Sequence, residues 1–461
     1  MSSNQSCFNP LGEPKTTLID NARIVLSSRG PIDKVSILVA KRRILAIGDK
    51  VEIRRKYGAW EEIIDARNCL AIPGFVNNHS HIAMALLRGL AEDLPLLNWL
   101  RDKIWPIEER LKPWQIEIGA ALGAAESLLS GTTCVTSIYF YDSGGSEASA
   151  IEKTGLRGWI AHGIFDWMEE KGLRLTQELV AHFHGKDAGR IRIATSPHSP
   201  YSCSPDVLRK IEALRGKLNQ KFGAQYPILN TIHVAEARTE AHEIKARYNV
   251  DASRGILKYL NSLGVLNSDT ICAHCIHLTE DDYIALGETG ASIASCPISN
   301  LKVGCGVADL PRIISHGTVL SLGTDGAASN NSLDMFETAK VASLLAKGLK
   351  GDTTQMSSKQ TFSIATEGGA KSLHQDREFG SLFEGAKADI VLLDLSKISA
   401  IPFHDPYNYI LYSARSSNVR DVLVDGRTLV RDSELLSVNL ENLRNRISSA
   451  VSEIATDDLK I

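Results

Sequence analysis

Residues 72–81 read Ile72-Pro73-Gly74-Phe75-Val76-Asn77-Asn78-His79-Ser80-His81. The apolar run is that of a buried β-strand, and it ends in two histidines two positions apart. Side chains alternate faces along an extended strand, so His79 and His81 point the same way. Two imidazoles on one face at a strand end can hold one divalent metal ion, with nitrogens about 2.0–2.1 Å from zinc. An isolated His-x-His is equally at home in a solvent-facing loop. Its meaning depends on what the rest of the chain sets beside it.

Downstream, helical patterns alternate with short apolar strands as far as residue 380, which is the signature of a parallel α/β core. Candidate strands are Cys134–Ile138, Gly158–His162, Ile191–Thr195, Ile228–His233, Thr270–His274, Ser292–Ser295 and Val319–Thr324. Counted with Ala71–Asn77, they make eight. Helical patterns such as Pro113–Ser130 and Leu333–Lys347 lie between them. Eight strand–helix units in about 300 residues fit a (β/α)8 barrel of the TIM type. An open doubly wound sheet is the alternative. Polar groups at the ends of many different strands favour the barrel.

Both flanks read differently. Thr17–Leu26, Val35–Ala40 and Arg43–Gly48 are short β-like runs upstream, and Asp389–Asp394 and Val419–Arg427 are their counterparts downstream. Asp425-Gly426 is a hairpin turn signal. The two ends are expected to pair into one composite β-sandwich with the barrel inserted in it. The expected organisation is a loose tail over 1–15, the N-terminal half of the sandwich over 16–70, the barrel over 71–380, the C-terminal half of the sandwich over 381–440 and a helical tail over 441–461.

In a barrel, the C-terminal ends of the strands converge on one pocket. Here those ends carry His79 and His81, then His198, then His233 with Glu236 just after it, then His274, and finally Asp325. The chain has 13 histidines, and packing does not explain five of them ending strands. His79, His81, His233 and Asp325 make a mononuclear site suited to one divalent metal, zinc or iron, with a position open for water. Such an ion lowers the pKa of its water towards ~7. Glu236, three residues past a ligand, can reach a substrate and shuttle a proton. His274 is a second base. A surface carboxylate for Glu236 and a hydrogen-bonded core histidine for His274 are the plain structural alternatives.

Composition sets outer limits. Of 461 residues, 43% are hydrophobic and 23% charged, and the net charge is −3. Nothing in that balance points to nucleic acid or an anionic membrane as partner. No apolar run reaches the ~18 residues of a membrane helix, and the N-terminus lacks a signal pattern, so a cytoplasmic location is expected. The eight cysteines are scattered and read as buried thiols, not as a disulfide framework. No phosphate-cradling glycine loop, dinucleotide fingerprint or serine nucleophile elbow occurs.

These residues, in this order, resemble the amidohydrolase superfamily, and within it the cytosine-deaminase-like branch of 5′-methylthioadenosine/S-adenosylhomocysteine deaminases and s-triazine chlorohydrolases. The phrases that carry the resemblance are PGFVNNHSHIAMALLRGLAEDLPLLNWL, IWPIEERL, SPHSPYSCSP, HVAEARTE, AHCIHLTEDD, CPISNLKVG and GTDGAASNNSLDMFE, with FGSLFEGAKADIVLLDL in the terminal β unit. The resemblance implies metal ligands His79, His81, His233 and Asp325, and proton-transfer roles for Glu236, His274 and Asp325. It implies one zinc, or iron, and no bridging carboxylated lysine. It further implies that Glu108, in the PIE phrase, holds ribose hydroxyls and that His198 faces the sugar. Arg174 falls in a phrase resembling one of two arginines that meet an amino-acid carboxylate. At the other arginine's position this chain has His162, and neutral histidine does not replace arginine's fork.

The expected activity is hydrolytic deamination of an adenine nucleoside of the 5′-methylthioadenosine, S-adenosylhomocysteine or adenosine type. Water and a heterocyclic amine are the expected small-molecule partners, and the resemblance implies a homo-oligomer. Deamination or dechlorination of another nitrogen heterocycle, such as a triazine, pterin or oxidised guanine, is the alternative. Ammonia is a poor leaving group that needs a proton, which Glu236 can supply, and chloride does not need one. A non-catalytic scaffold is a third reading, and the complete ligand set weighs against it.

Overall fold

The computed structural model describes residues 6–26, 30–142 and 144–458. Its centre is a parallel sheet whose strands follow chain order: Phe75–His81, Thr132–Tyr139, Arg157–Ile164, Ile191–Pro197, Asn230–Val234, Thr270–His274, Ser292–Ser295, then Leu320–Leu322 with Asp325–Gly326. Leu320–Leu322 pairs with the seventh strand, while Asp325–Gly326 pairs with the first, Asp325 opposite Ser80. Only Gly323 and Thr324 separate those two pieces. They are one strand that leaves one edge and joins the other, so the sheet closes into the expected barrel. The near-continuous burial of these strands suits a sheet covered on both faces.

Closure is fixed by side chains of the opening stretch. Asn77 Nδ2 donates to Thr324 Oγ1 at 2.7 Å, and Thr324 N–H donates to Asn77 Oδ1 at 3.0 Å. Asn78 Nδ2 donates to Ser321 Oγ at 3.0 Å, and Thr136 Oγ1 donates to Asn78 Oδ1 at 3.1 Å. Each asparagine thus uses both ends of its amide to tie the first strand to its neighbours. A Cβ on Gly323 would stand 2.6 Å from the His79 carbonyl oxygen, so only glycine passes there.

The sequence suggests one strand over Ala71–Asn77, and the structure divides it. Cys69–Pro73 lies in a second, nine-stranded sheet, and Phe75–His81 opens the barrel. Gly74 is the joint: a Cβ there would fall 2.1 Å from Thr133 Oγ1. The second sheet is mixed and takes strands from both chain ends. Cys69–Pro73 pairs parallel with Thr17–Leu26 and antiparallel with Ile390–Asp394. Val419–Val424 and Arg427–Arg431 form the hairpin signalled by Asp425-Gly426, whose φ values are 51° and 77°.

The expected loose tail falls outside the described residues over 1–5. From Cys7 onward it is pinned: Cys7 is fully buried, Phe8 bridges Val438, and Asn9 N–H donates to the Ser437 carbonyl at 2.9 Å. A helix over Leu440–Asp458 closes the described chain, and the remainder of the expected helical tail, 459–461, lies outside the described residues. Among the described residues, no helix is long and apolar enough to cross a membrane.

A buried ion network joins the second sheet to the barrel. Arg157, at the start of the third barrel strand, grips Asp389 through two 2.8 Å bonds and reaches Asp425 at 3.3 Å. Arg42 then spans Asp425 at 2.6 Å and Asp187 at 2.7 Å.

Candidate metal centre

A shift in pairing between Asn77 and Ser80 turns the first barrel strand at its end. Val76 below the shift packs with the barrel's interior core, and His79 and His81 above it also face inward. There they meet His233 from the fifth strand, His274 from the sixth and Asp325 from the eighth. The ligand atoms of His79, His81 and His233 lie within 4.8 Å of one another, and so do those of His79, His274 and Asp325. Asp325 Oδ1 stands 3.1 Å from His81 Nε2 and 3.4 Å from His79 Nε2. All five side chains are buried.

Backbone and amide oxygens fix the tautomers. Nδ1 of His81 donates to the Ile138 carbonyl at 2.7 Å, Nδ1 of His233 to the His198 carbonyl at 2.7 Å, and Nδ1 of His274 to Asn300 Oδ1 at 2.8 Å. A neutral ring that donates through Nδ1 presents a lone pair at Nε2. His81 Nε2 and His233 Nε2 therefore face each other at 3.3 Å as two acceptors. Neither nitrogen of His79 has a hydrogen-bond partner. Buried lone pairs aimed at one point need a cation between them. The donor set fits a single divalent ion of the zinc or iron kind.

Electrostatics point the same way at His79 and His233, whereas at His81 burial opposes charge but contact with the Asp325 carboxylate raises the imidazole pKa. Burial holds the His79 imidazole down to about 4, and it holds His233 well below its ordinary value. Both rings are neutral, as metal ligation demands. Burial also opposes charge on Asp325, but contacts to His79 and His81 keep its carboxyl well below the usual carboxylate range. Its other oxygen accepts from Ser299 Oγ at 2.6 Å and Ser329 Oγ at 3.0 Å.

Three site residues sit on strained backbone: Ala235, His274 and Asp325 have φ of 52°, 71° and 64°. Left-handed geometry costs a non-glycine residue roughly 1–2 kcal/mol. At each strand end it turns the chain so that the ligand or its neighbour faces the cavity.

Around the cluster lies a cavity of about 40 Å³, whose walls include Glu108, His198 and Glu236. Leu96, Trp99, Leu100 and Trp105, all from the segment after the first strand, also line it. Glu236 Oε1 stands 3.8 Å from His274 Nε2, and burial raises its pKa against the pull of that histidine. Burial pushes the Glu108 carboxyl up to about 8. His198 Nδ1 meets Ser202 Oγ at 2.7 Å, and its ring lies 4.5 Å from the Phe165 ring.

Two expected substrate contacts are not in this cavity. His162 lies on the same face of the third strand as Ile160 and Ile164, which pack into the outer core, whereas Ala161 and Phe165 line the interior with Phe140. Strand alternation thus turns His162 outward. Arg174 lies on the helix Glu169–Phe183, where its 61% exposed side chain pairs with Glu178. Sequence reasoning missed Asn300, Ser299 and Ser329, which orient His274 and Asp325. The phrases CPISNLKVG and GTDGAASNNSLDMFE contain them, yet nothing in their spacing says which side chains face the ligands.

Comparison with known proteins gives a consistent result. The model of the Amidohydrolase family matches residues 70–429. The 5′-deoxyadenosine deaminase of Methanothermobacter thermautotrophicus is 36% identical over 95% of this chain and 100% of its own. The 5-methylthioadenosine/S-adenosylhomocysteine deaminase of Moorella thermoacetica is 35% identical over 94% of this chain and 98% of its own. A crystal structure of a zinc-bound adenosine deaminase from Xanthomonas campestris superposes with a TM-score of 0.88, at 30% identity over 96% of this chain and 99% of that one. The zinc-bound atrazine chlorohydrolase of Arthrobacter aurescens shares the fold, with a TM-score of 0.84 at 21% identity over 94% of this chain and 100% of that one.

Proposed function

This chain belongs to the amidohydrolase family, and we propose that it is a zinc-dependent aminohydrolase that deaminates an adenine nucleoside of the 5′-deoxyadenosine, 5′-methylthioadenosine, S-adenosylhomocysteine or adenosine type. The observation that carries the reading is the convergence of three inward Nε2 lone pairs and one carboxylate beside an unshielded buried glutamate, Glu236. The near full-length similarity to deaminases of such nucleosides supports the substrate class.

Bound zinc would supply an acidified water at neutral pH. The chain's own residues would do the rest. His274, its Nε2 lone pair directed inward by Asn300, would accept the water's proton. Glu236 would give a proton to a ring nitrogen, then take the hydroxyl proton of the adduct and pass it to the departing amine, and would be reprotonated by His274, 3.8 Å away. Glu108 and His198 would hold the ribose at the far wall. The homo-oligomeric state and the cytoplasmic location belong to the same proposal, to be read from mass in solution and from cell fractionation.

Ammonia release from a nucleoside panel tests the reading. Metal-replete protein is expected to release ammonia from at least one adenosine derivative, to lose that activity on chelation, and to regain it when zinc is restored. No turnover of any adenosine derivative by protein holding one metal ion per chain overturns the substrate class. Glu108→Ala separates a nucleoside from a free heterocycle. With a nucleoside, a ribose hydrogen bond of about 0.5–1.5 kcal/mol is lost, and kcat/KM falls by roughly 2–13-fold. With a triazine or pterin as true substrate, activity on it stays nearly intact.

A further inference from the structure

Resting on the proposed role of Glu236, we propose that Glu240 is a positioning residue that aims the Glu236 carboxyl into the cavity by binding its backbone. Among the described residues no side-chain hydrogen bond holds the Glu236 carboxyl, and His274 Nε2 stands 3.8 Å from it. Its direction is therefore set by the main chain, and that main chain is unusual. Ala235, just before it, has φ of 52°, a left-handed conformation that alanine rarely adopts.

Two sets of bonds hold this turn. The Ala235 carbonyl accepts N–H groups from Ile276 at 2.9 Å and His277 at 3.0 Å. On the other side, Glu240 Oε2 accepts the Glu236 N–H at 2.9 Å. Glu240 opens the helix Glu240–Tyr248 and is 1% exposed, and its second oxygen has no hydrogen-bond partner. A buried carboxyl with half its capacity unused is costly. It acts on the backbone of Glu236 first and of Ala235 second, the two residues of this turn. A carboxyl that only accepts can do so charged or protonated, so an amide of the same shape should serve equally well.

Three variants test this. Glu240→Leu keeps the bulk but removes the acceptor. Glu240→Asp keeps the acid but retracts it by one methylene. Glu240→Gln keeps the reach and the acceptor. Leu and Asp are expected to lower kcat about 10²-fold, the loss that a displacement of about 1 Å in a catalytic group causes. KM and the metal content per chain should stay close to wild type. The Glu236 amide should lose its protection from hydrogen exchange in both variants. Gln should match wild type in every readout. The proposal is overturned if Glu240→Gln falls as far as Glu240→Leu, or if the Glu236 amide stays protected in the Leu and Asp variants. Hydrogen exchange needs no substrate, so it reads the same answer should the wild-type protein deaminate no nucleoside, a result that rejects the proposed function instead.

Discussion

Glu236→Gln is expected to lower kcat by about 10²–10⁴-fold, the range that a positioned acid–base group supplies. Glutamine keeps the size of glutamate and fills the same wall of the cavity, but it cannot carry a proton between water and the purine ring. Glu236 is not among the groups that could hold a metal ion here, so metal content should remain at the wild-type level. A measurement of kcat, KM and metal per chain on one preparation checks both halves. A 6-chloropurine nucleoside sharpens the test. Chloride leaves without a proton, so the variant should lose less activity on it than on the amine. Equal losses on both would remove the leaving group from the work of Glu236.

The second large effect concerns stability. Arg157→Met is expected to destabilise the protein by about 3–5 kcal/mol, the cost of leaving buried charge without its partner. The Arg157 and Asp389 side chains are each only 2% exposed, and that of Asp425 is fully buried. Methionine would fill the space and strand the Asp389 carboxylate between the barrel and the second sheet, while Asp425 would keep Arg42 and Lys387. The fall should appear as a lower urea midpoint. Adding Asp389→Asn should recover some of it, since the pair shares one interaction.

The loss also depends on pH, with a sign that follows from Asp425. Burial opposes its charge, but Arg157, Lys387 and Arg42 together keep its pKa below the ordinary value. A group so depressed stabilises the fold above its unfolded pKa of about 3.9 and loses that contribution as pH falls through its folded value. The gap between wild type and Arg157→Met should therefore be widest near neutrality and should narrow below about pH 4.

Much of the site is written in the order of strand ends. His79, His81, His233, His274 and Asp325 each close an apolar run, and a barrel delivers all such ends to one mouth. A period of two along a strand and a βα alternation along the chain are local signals, readable one segment at a time. His162 shows where that reading stops. It too closes an apolar run, but on the outward phase of its strand, and an apolar run of Trp159, Ile160 and Ala161 buried on both faces does not reveal the phase. Arg174 is similar, since a helix presents several faces and only packing selects the one that meets the pocket.

The barrel, the joining of the two chain ends and the set of proposed metal-binding groups all follow from residue order, because periodicity and residue chemistry are properties of short segments. Three further facts come from the folded molecule: which lone pair His81, His233 and His274 offer, that Gly74 divides one apparent strand between two sheets, and that Glu240 lies beneath Glu236. They depend on partners such as Ile138, Thr133 and Asn300. Such contacts are made across the fold, where distance along the chain carries no information about distance in space.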